Sequence, residues 1–354
     1  MNQENNLIKS FSLSGYRSFD KNIQRFESLS KINLFIGQNN SGKSNILRFI
    51  NDIFPKLSQN NPLQFGRLDK HFPVGAKFTA GISVSLKKNE KGDYDDFNRD
   101  VTSKFKEHER NSELPGFALK VFEKKKEMDC TENVWFDFGA DLKLIEDNWK
   151  TAFDILPDND IYNLWNRLTG ATRGSREKHW FPETLRRLSP KFQSLNSVLI
   201  PAIRKVGETG STSDSFSGEG IIERLVRLQN PDVHNQNDRI KFNSINKFLR
   251  NVTDNSTATI EIPHERDTIL VHMDGKTLPL ESLGTGIHEV IILASAATIL
   301  EHTAICMEEP ELHLHPILQK KLVRYLLNAT NNQYFITTHS AALLDTLADL
   351  YLYH

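Results

Sequence analysis

GQNNSGKS, Gly37 to Ser44, satisfies every fixed position of the G-x-x-x-x-G-K-[ST] pattern of a phosphate-binding loop. Its glycines let the backbone turn back so that consecutive N–H groups face an anion. Lys43 can then reach the β- and γ-phosphates, and the Ser44 hydroxyl can ligate Mg²⁺. Asn39, Asn40, Ser41, Gly42 and Asn45 complete the candidate nucleotide-binding set. The flanks agree with the loop. Lys31 to Ile36 (KINLFI) reads as a short apolar strand entering it, and Asn45 to Phe54 (NILRFINDIF) as a helix leaving it, closed by Pro55. Strand, glycine loop and helix in that order predict an α/β fold that holds a nucleoside triphosphate.

The 354 residues suffice for one large domain or two, and 38% hydrophobic content is compatible with a substantial core. Lys plus Arg number 44 against 45 Asp plus Glu, so the chain is not globally basic, although a local basic patch stays open. The longest apolar run, Val290 to Leu300, is interrupted by Ser295 and Thr298 and is far shorter than the roughly 20 residues of a membrane span. MNQENNLIKS has neither a basic nor an apolar leader, and Cys130 and Cys306 are too far apart for a disulfide framework or metal motif. The expected compartment is the reducing cytoplasm, without a membrane partner.

Leu7 to Leu13 alternates like a strand, and Ile23 to Phe26 suggests a second. Tyr16 and Phe19 read as core, whereas Arg17, alone among apolar residues, is a candidate contact to phosphate or to a loop carbonyl. Lys77 to Leu86 alternates cleanly. From Lys87 to Lys126 dense mixed charge reads as a solvated, loop-rich insertion. Residues Thr131 to Phe192, with all four tryptophans, read as mixed, mainly helical structure whose aromatics anchor a core. Ser197 to Arg204 is strand-like, and Lys205 to Gly220 is a Gly/Ser/Thr-rich surface loop. Ile221 to Leu228 and Ile240 to Val252 have helical spacing, and Asp274-Gly275 marks a hairpin turn between short strands.

Three further pieces make sense together with a nucleotide. SLGTG, Ser282 to Gly286, precedes a helix and offers free N–H groups to an anion. TAICMEEPE, Thr303 to Glu311, is an apolar strand ending in two carboxylates: Glu308 suits the Mg²⁺ shell, and Glu309 suits the orientation or deprotonation of an attacking water. QYFITTHS, Gln333 to Ser340, is a second apolar strand with His339 at its tip. Leu312 to Leu327 between them is the length of a crossover helix, so His339 would share the carboxyl edge of a parallel sheet and contact the γ-phosphate.

In order, GQNNSGKS, SLGTGIHE, ICMEEPELHLHP and ITTHS resemble the Walker A, signature, Walker B with D-loop, and H-loop motifs of ABC-type ATPases. Within that superfamily IKSFSLSGYRSF, NNSGKSNIL, SVLIPAIR and EEPELHLHP resemble the overcoming-lysogenisation-defect (OLD) family and its bacterial anti-phage relatives, over residues 7 to about 85 and 195 to 354. The resemblance implies an ABC-type P-loop ATPase head of mixed and parallel sheet flanked by helices, with a largely helical insertion at 87–194 between lobes at 1–86 and 195–354. It implies ATP and Mg²⁺, and a homodimer, or a higher oligomer, in which Ser282, Gly284 and Gly286 of one copy close on the nucleotide held by Lys43 of the other. Gln59 and Gln64 both qualify as the Q-loop glutamine that contacts Mg²⁺, Gln64 being preferred. His313 and His315 fall in the D-loop, where a metal pair lacks a third ligand.

OLD proteins continue into a Toprim nuclease domain, so the expected chain is either part of a longer one or an ATPase whose effector lies elsewhere. Nucleic acid is the expected partner, directly or through a nuclease. Two alternatives stand beside this reading. An SMC-like DNA clamp would place long heptad arms between the Walker motifs, and no sustained a/d repeat is present there. A transporter ATPase subunit would need a membrane partner.

Overall fold

The computed structural model describes residues 7–352 apart from 39, 60, 71–75, 147–148, 203–219, 233–234 and 266–267. Asn39, Arg204 and the Lys205–Gly220 loop short of Gly220 therefore lie outside the described residues. In chain order, β1 (Phe11–Ser14), β2 (Gln24–Phe26) and β3 (Ile32–Ile36) precede α1 (Lys43–Arg48). This helix does not stop at Pro55. It runs through a π turn at Phe49–Ile53 into α2 (Phe54–Leu57). Pro55 has no N–H for the Asn51 carbonyl one turn back. That carbonyl instead accepts from Ser197 Oγ at 2.9 Å, and the wider π turn carries the chain past the ring.

β4 (Thr79–Ser85), α3 (Asp95–Asp100), α4 (Leu114–Asp129), β5 (Asn133–Gly139), α5 (Lys150–Phe153), α6 (Asp158–Thr169) and α7 (Phe181–Leu188) follow. Then come β6 (Asn196–Ile200), α8 (Ile221–Gln229), α9 (Gln236–Thr253), β7 (Thr259–Glu261), β8 (Leu270–Met273), β9 (Lys276–Pro279) and α10 (Thr285–Ile299). The last elements are β10 (Thr303–Glu308), α11 (Pro316–Ala329), β11 (Gln333–Thr338) and α12 (Ala341–Leu352). Among the described residues no helix exceeds the 18 residues of α9, and none is long and apolar enough to cross a membrane. Coiled-coil arms are therefore not part of the described chain.

Two compact units result. One comprises Lys9–Ser28 and Lys56–Gln193. Its sheet has the order β2-β1-β4-β5, antiparallel throughout, and β4 and β5 pair along their whole length from Thr79↔Gly139 to Ser85↔Asn133. This long-range pairing draws residues 9–28 and 56–86 to the 87–193 segment, so the boundary does not fall at residue 86. Phe97, Phe122, Phe136, Trp149 and Phe153 form its core, with Trp149 4.5 Å from Phe136.

The charged stretch before β5 is less loop-like than its composition suggests. Its EKKKE run lies on α4, and Lys125 is buried, bonded to Asp129 at 2.6 Å and set over the Trp149 ring at 5.5 Å. The i,i+4 ion pair and the aromatic face offset the cost of burying that ammonium. The Arg17 guanidinium donates to Asp69 Oδ1 at 2.7 Å and to the Tyr16 hydroxyl at 3.1 Å.

The other unit comprises Met1–Ile8, Leu29–Pro55 and Ser194–His354. Its main sheet has the order β3-β11-β10-β6 and is parallel throughout, with α11 as the β10-to-β11 crossover. A separate antiparallel meander, β7-β8-β9, turns at Asp274 and Gly275, both with positive φ (52° and 71°), as a two-residue hairpin loop requires. α10 is apolar nearly all round and is buried in one core with Leu225, Phe248, Leu322, Met307 and Ile336. Both lobes of a P-loop α/β head are thus present: a parallel sheet flanked by helices, with a helix-rich second unit.

Gln333, at the start of β11, ties the amino-terminal segment to this sheet. Its Oε1 accepts from the Ile8 N–H at 2.8 Å, and its Nε2 donates to the carbonyls of Ile8 and Ser30 at 2.8 and 3.0 Å. Gln333→Leu leaves these buried backbone groups unpaired and is expected to lower unfolding free energy by about 2–4 kcal/mol in urea titration. A loss below about 0.5 kcal/mol would show that the tie contributes nothing.

Candidate nucleotide site

The loop after β3 is shaped by three backbone requirements. Gly42 caps α1 at φ 94°, in the left-handed region, and Asn40 also has positive φ (65°). At Gly37 a Cβ would come within 2.9 Å of Ser41 Oγ. Ser41 N–H donates to the Gln38 carbonyl at 3.3 Å, and Asn45 and Ile46 N–H groups donate to the Gly42 carbonyl at 2.9 and 3.2 Å, which starts the helix. Lys43 Nζ curls back onto the Gly37 and Gln38 carbonyls at 2.7 and 2.8 Å, so the ammonium sits over the loop's own backbone. Ser41 and Ser44 are exposed. A tight main-chain cradle with a cation over it and a hydroxyl at its rim fits a phosphate chain with a divalent cation.

The sheet register decides what faces this loop. Thr338↔Ile36 and Glu308↔Thr337 are paired positions, so the carboxyl ends of β3, β11 and β10 end side by side. Gly37, His339 and the Glu308-Glu309 pair leave from those three ends. Glu309 takes a positive φ (42°), unusual for a residue with a side chain, and its N–H donates to the Thr337 carbonyl at 3.0 Å. His339 Nε2 lies 3.7 Å from Glu309 Oε1. Cys306, two residues before Glu308, is fully buried, and burial pushes its thiol pKa up, so it is an inert core group.

Sequence reading missed Glu311. One of its oxygens, Oε1, accepts from both the Thr338 hydroxyl and the His339 N–H, each at 2.7 Å, while Oε2 is buried with no hydrogen-bond partner. The turn after β10 thereby holds the tip of β11. A second tie runs alongside, in which the Ser340 hydroxyl donates to Gln319 Oε1 at 2.6 Å and Gln319 Nε2 donates to the Leu314 carbonyl at 2.9 Å. The signal in the sequence was the third carboxylate of EEPE, indistinguishable there from its neighbours.

Ser282 lies exposed on a 3₁₀ turn, Leu280–Leu283, and Gly284 follows at φ 90°, ψ 149°, open to glycine alone. Gly286 lies against the turn after β10, where a Cβ would meet the His313 carbonyl oxygen at 2.9 Å. Gln64 lies exposed in a coil of the other unit. His315 caps α11, its Nδ1 accepting from the Ile317 N–H at 3.4 Å, and among the described residues no three His, Cys, Asp or Glu side chains gather as a metal centre.

Against known families, residues 7–344 match the AAA ATPase domain. No curated protein matches the chain. Among solved structures it is similar to an SMC head bound to the C-terminal winged-helix domain of ScpA, at TM-score 0.46 and 14% identity over 96% of this chain and 92% of that one. It is also similar to the SMC head domain from Thermotoga maritima, at TM-score 0.41 and 12% identity over 96% and 91%. With TM-scores below 0.5, the fold assignment stands on strand order and the family match.

Glu311→Ala frees the Thr338 hydroxyl and the His339 amide. Hydrogen exchange at the His339 amide is expected to accelerate by at least about tenfold, with the interior amides of β10 and β11 unchanged. An unchanged His339 amide would mean that the carboxylate does not hold this turn.

Proposed function

This chain belongs to the AAA ATPase domain family, and from that membership we propose that it is an ATP-hydrolysing head of OLD type, working as a homodimer that controls nucleic-acid cleavage or processing in anti-phage defence. The observation that carries the reading is the meeting of Gly37–Ser44, Glu308-Glu309 and His339 at three adjacent strand ends. Generic triphosphate sites need only the first of these.

In this reading the loop amides of Gly37 to Asn45 and the Lys43 ammonium bind the phosphates. Ser44 and Glu308, both hard oxygen donors, hold Mg²⁺, which when bound supplies charge neutralisation at the phosphate oxygens. Glu309 accepts the proton of the attacking water, and His339 contacts the γ-phosphate, kept in place through Glu311. The exposed turn at Ser282, with Gly284 and Gly286 behind it, supplies the face that closes on a second copy's nucleotide. Cleavage itself belongs to a nuclease partner or to a Toprim domain.

Lys43→Ala is expected to weaken fluorescent ATP-analogue binding at least about 100-fold, because it removes the one side-chain cation of the loop. Glu309→Gln should keep binding and lower steady-state hydrolysis by about 10²–10⁴-fold. Full hydrolysis by Glu309→Gln would remove Glu309 from the chemistry.

Dimerisation is tested with Ser282→Arg rather than at Gly284, whose φ strains any side chain. Sedimentation of Glu309→Gln with ATP should show dimer, and the added Ser282→Arg should leave monomer with ATP still bound. Dimer in both would refute the closing role of this turn.

A further inference from the structure

The chain is nearly neutral at −1, yet two neighbouring helices are strongly basic. α9 carries Arg239, Lys241, Lys247 and Arg250 against Asp238, and α11 carries Lys320, Lys321 and Arg324 with no acid, a net of +6 for the pair. Between them runs a groove of about 690 Å³. Part of its charge is already engaged: Lys241 pairs with Glu301 at 3.2 Å, and Lys321 pairs with Asp254 at 2.8 Å and donates to the Asn251 carbonyl. Arg250 Nε donates to the Ala258 carbonyl at 3.0 Å.

Lys247, Lys320 and Arg324 have no ion-pair partner among the described residues. Lys247 on α9 and Arg324 on α11 both line the groove, and both are exposed. Its floor is an aromatic pair, Phe248 and Tyr325, with centroids 4.4 Å apart, and the amides of Asn251 and Asn328 add neutral donors. Tyr325 is held by a hydrogen bond between its hydroxyl and that of Thr298, so the floor is rigid.

We propose that this α9–α11 groove binds the phosphodiester backbone of a nucleic acid. The α9 wall from Ser244 to Asn251 spans about 10 Å, the axial run of roughly three phosphates of one strand. Cations from both lining helices suit a chain of anions that enters the recess, whereas a flat lipid surface would touch only the rim. The groove runs along α11 from Lys321 to its end, and none of its lining residues belongs to the nucleotide site, so occupancy of one does not require residues of the other. The inference rests on the reading that this ATPase acts on nucleic acid, and deepens it by naming the surface.

The test is fluorescence anisotropy of labelled 30-residue single-stranded DNA, duplex DNA and single-stranded RNA with the full chain at several salt concentrations. Lys247→Glu/Arg324→Glu is expected to weaken binding of the preferred form at least tenfold and to make the log–log salt slope shallower by about 1–2, while Lys91→Glu in the other unit changes neither. ATP-analogue binding should be unchanged in the double variant; if it is lost through misfolding, Lys247→Gln/Arg324→Gln gives the same readout with a milder change. Equal affinity in wild type and variant overturns the groove. So does absence of nucleic-acid binding in the wild type, or binding only to phosphatidylserine vesicles. Lys43→Ala separates the two readings: loss of ATP binding with DNA binding intact leaves the groove standing by itself.

Discussion

Pairing of β10 with β11 in one fixed parallel register is the constraint on which the rest of the nucleotide-site unit depends. Ala304↔Gln333 through Glu308↔Thr337 run in step, both strands are almost wholly buried, and β3 and β6 extend the same alignment outward. Covered on both faces, such strands can be nearly continuous apolar runs, and ICM and YFI are so here. A slip of one residue would turn side chains such as Met307, Tyr334 and Phe335 to opposite faces, at about 1.5–3 kcal/mol for each large apolar side chain displaced from its packing. It would also carry Glu309 and His339 away from Gly37. Core packing and site geometry are thus specified by the same register.

Beyond the strand ends, geometry is kept by polar ties rather than by packing. Glu309 and His313 both have positive φ without being glycine, a conformation costing on the order of 1–3 kcal/mol each that persists only where neighbours over-determine it. Here those neighbours are the Thr337 carbonyl, the Glu311 carboxylate and Gln319. Gly286 lies against the same turn, so α10 and the tip of β11 share one support.

Much of this was legible in the chain because the informative patterns are local. The glycine loop has fixed residues, the α11 crossover has helical length between two apolar runs, and Asp274-Gly275 is a turn by its own chemistry. What escaped reading depends on partners far away in sequence. Pairing of β4 with β5, between positions 48 to 60 residues apart, leaves no trace in periodicity, and it moved residues 9–28 and 56–86 out of the expected lobe. Pro55 ended the expected helix because Ser197, whose hydroxyl donates to the freed Asn51 carbonyl, lies 146 residues beyond Asn51. Lys125 looked solvated because Trp149, whose ring it lies over, is 24 residues further on. Glu311 looked like one more surface carboxylate until Thr338 and His339 stood beside it.

The central claim is that three strand ends make one ATP-hydrolysing centre. A crystal or cryo-EM structure of Glu309→Gln with ATP and Mg²⁺ tests it most directly. The account places the γ-phosphate between Lys43 and His339, with the cation on Ser44 and Glu308. A nucleotide bound elsewhere, or bound at the loop with His339 and Glu308 turned away from it, would contradict the claim.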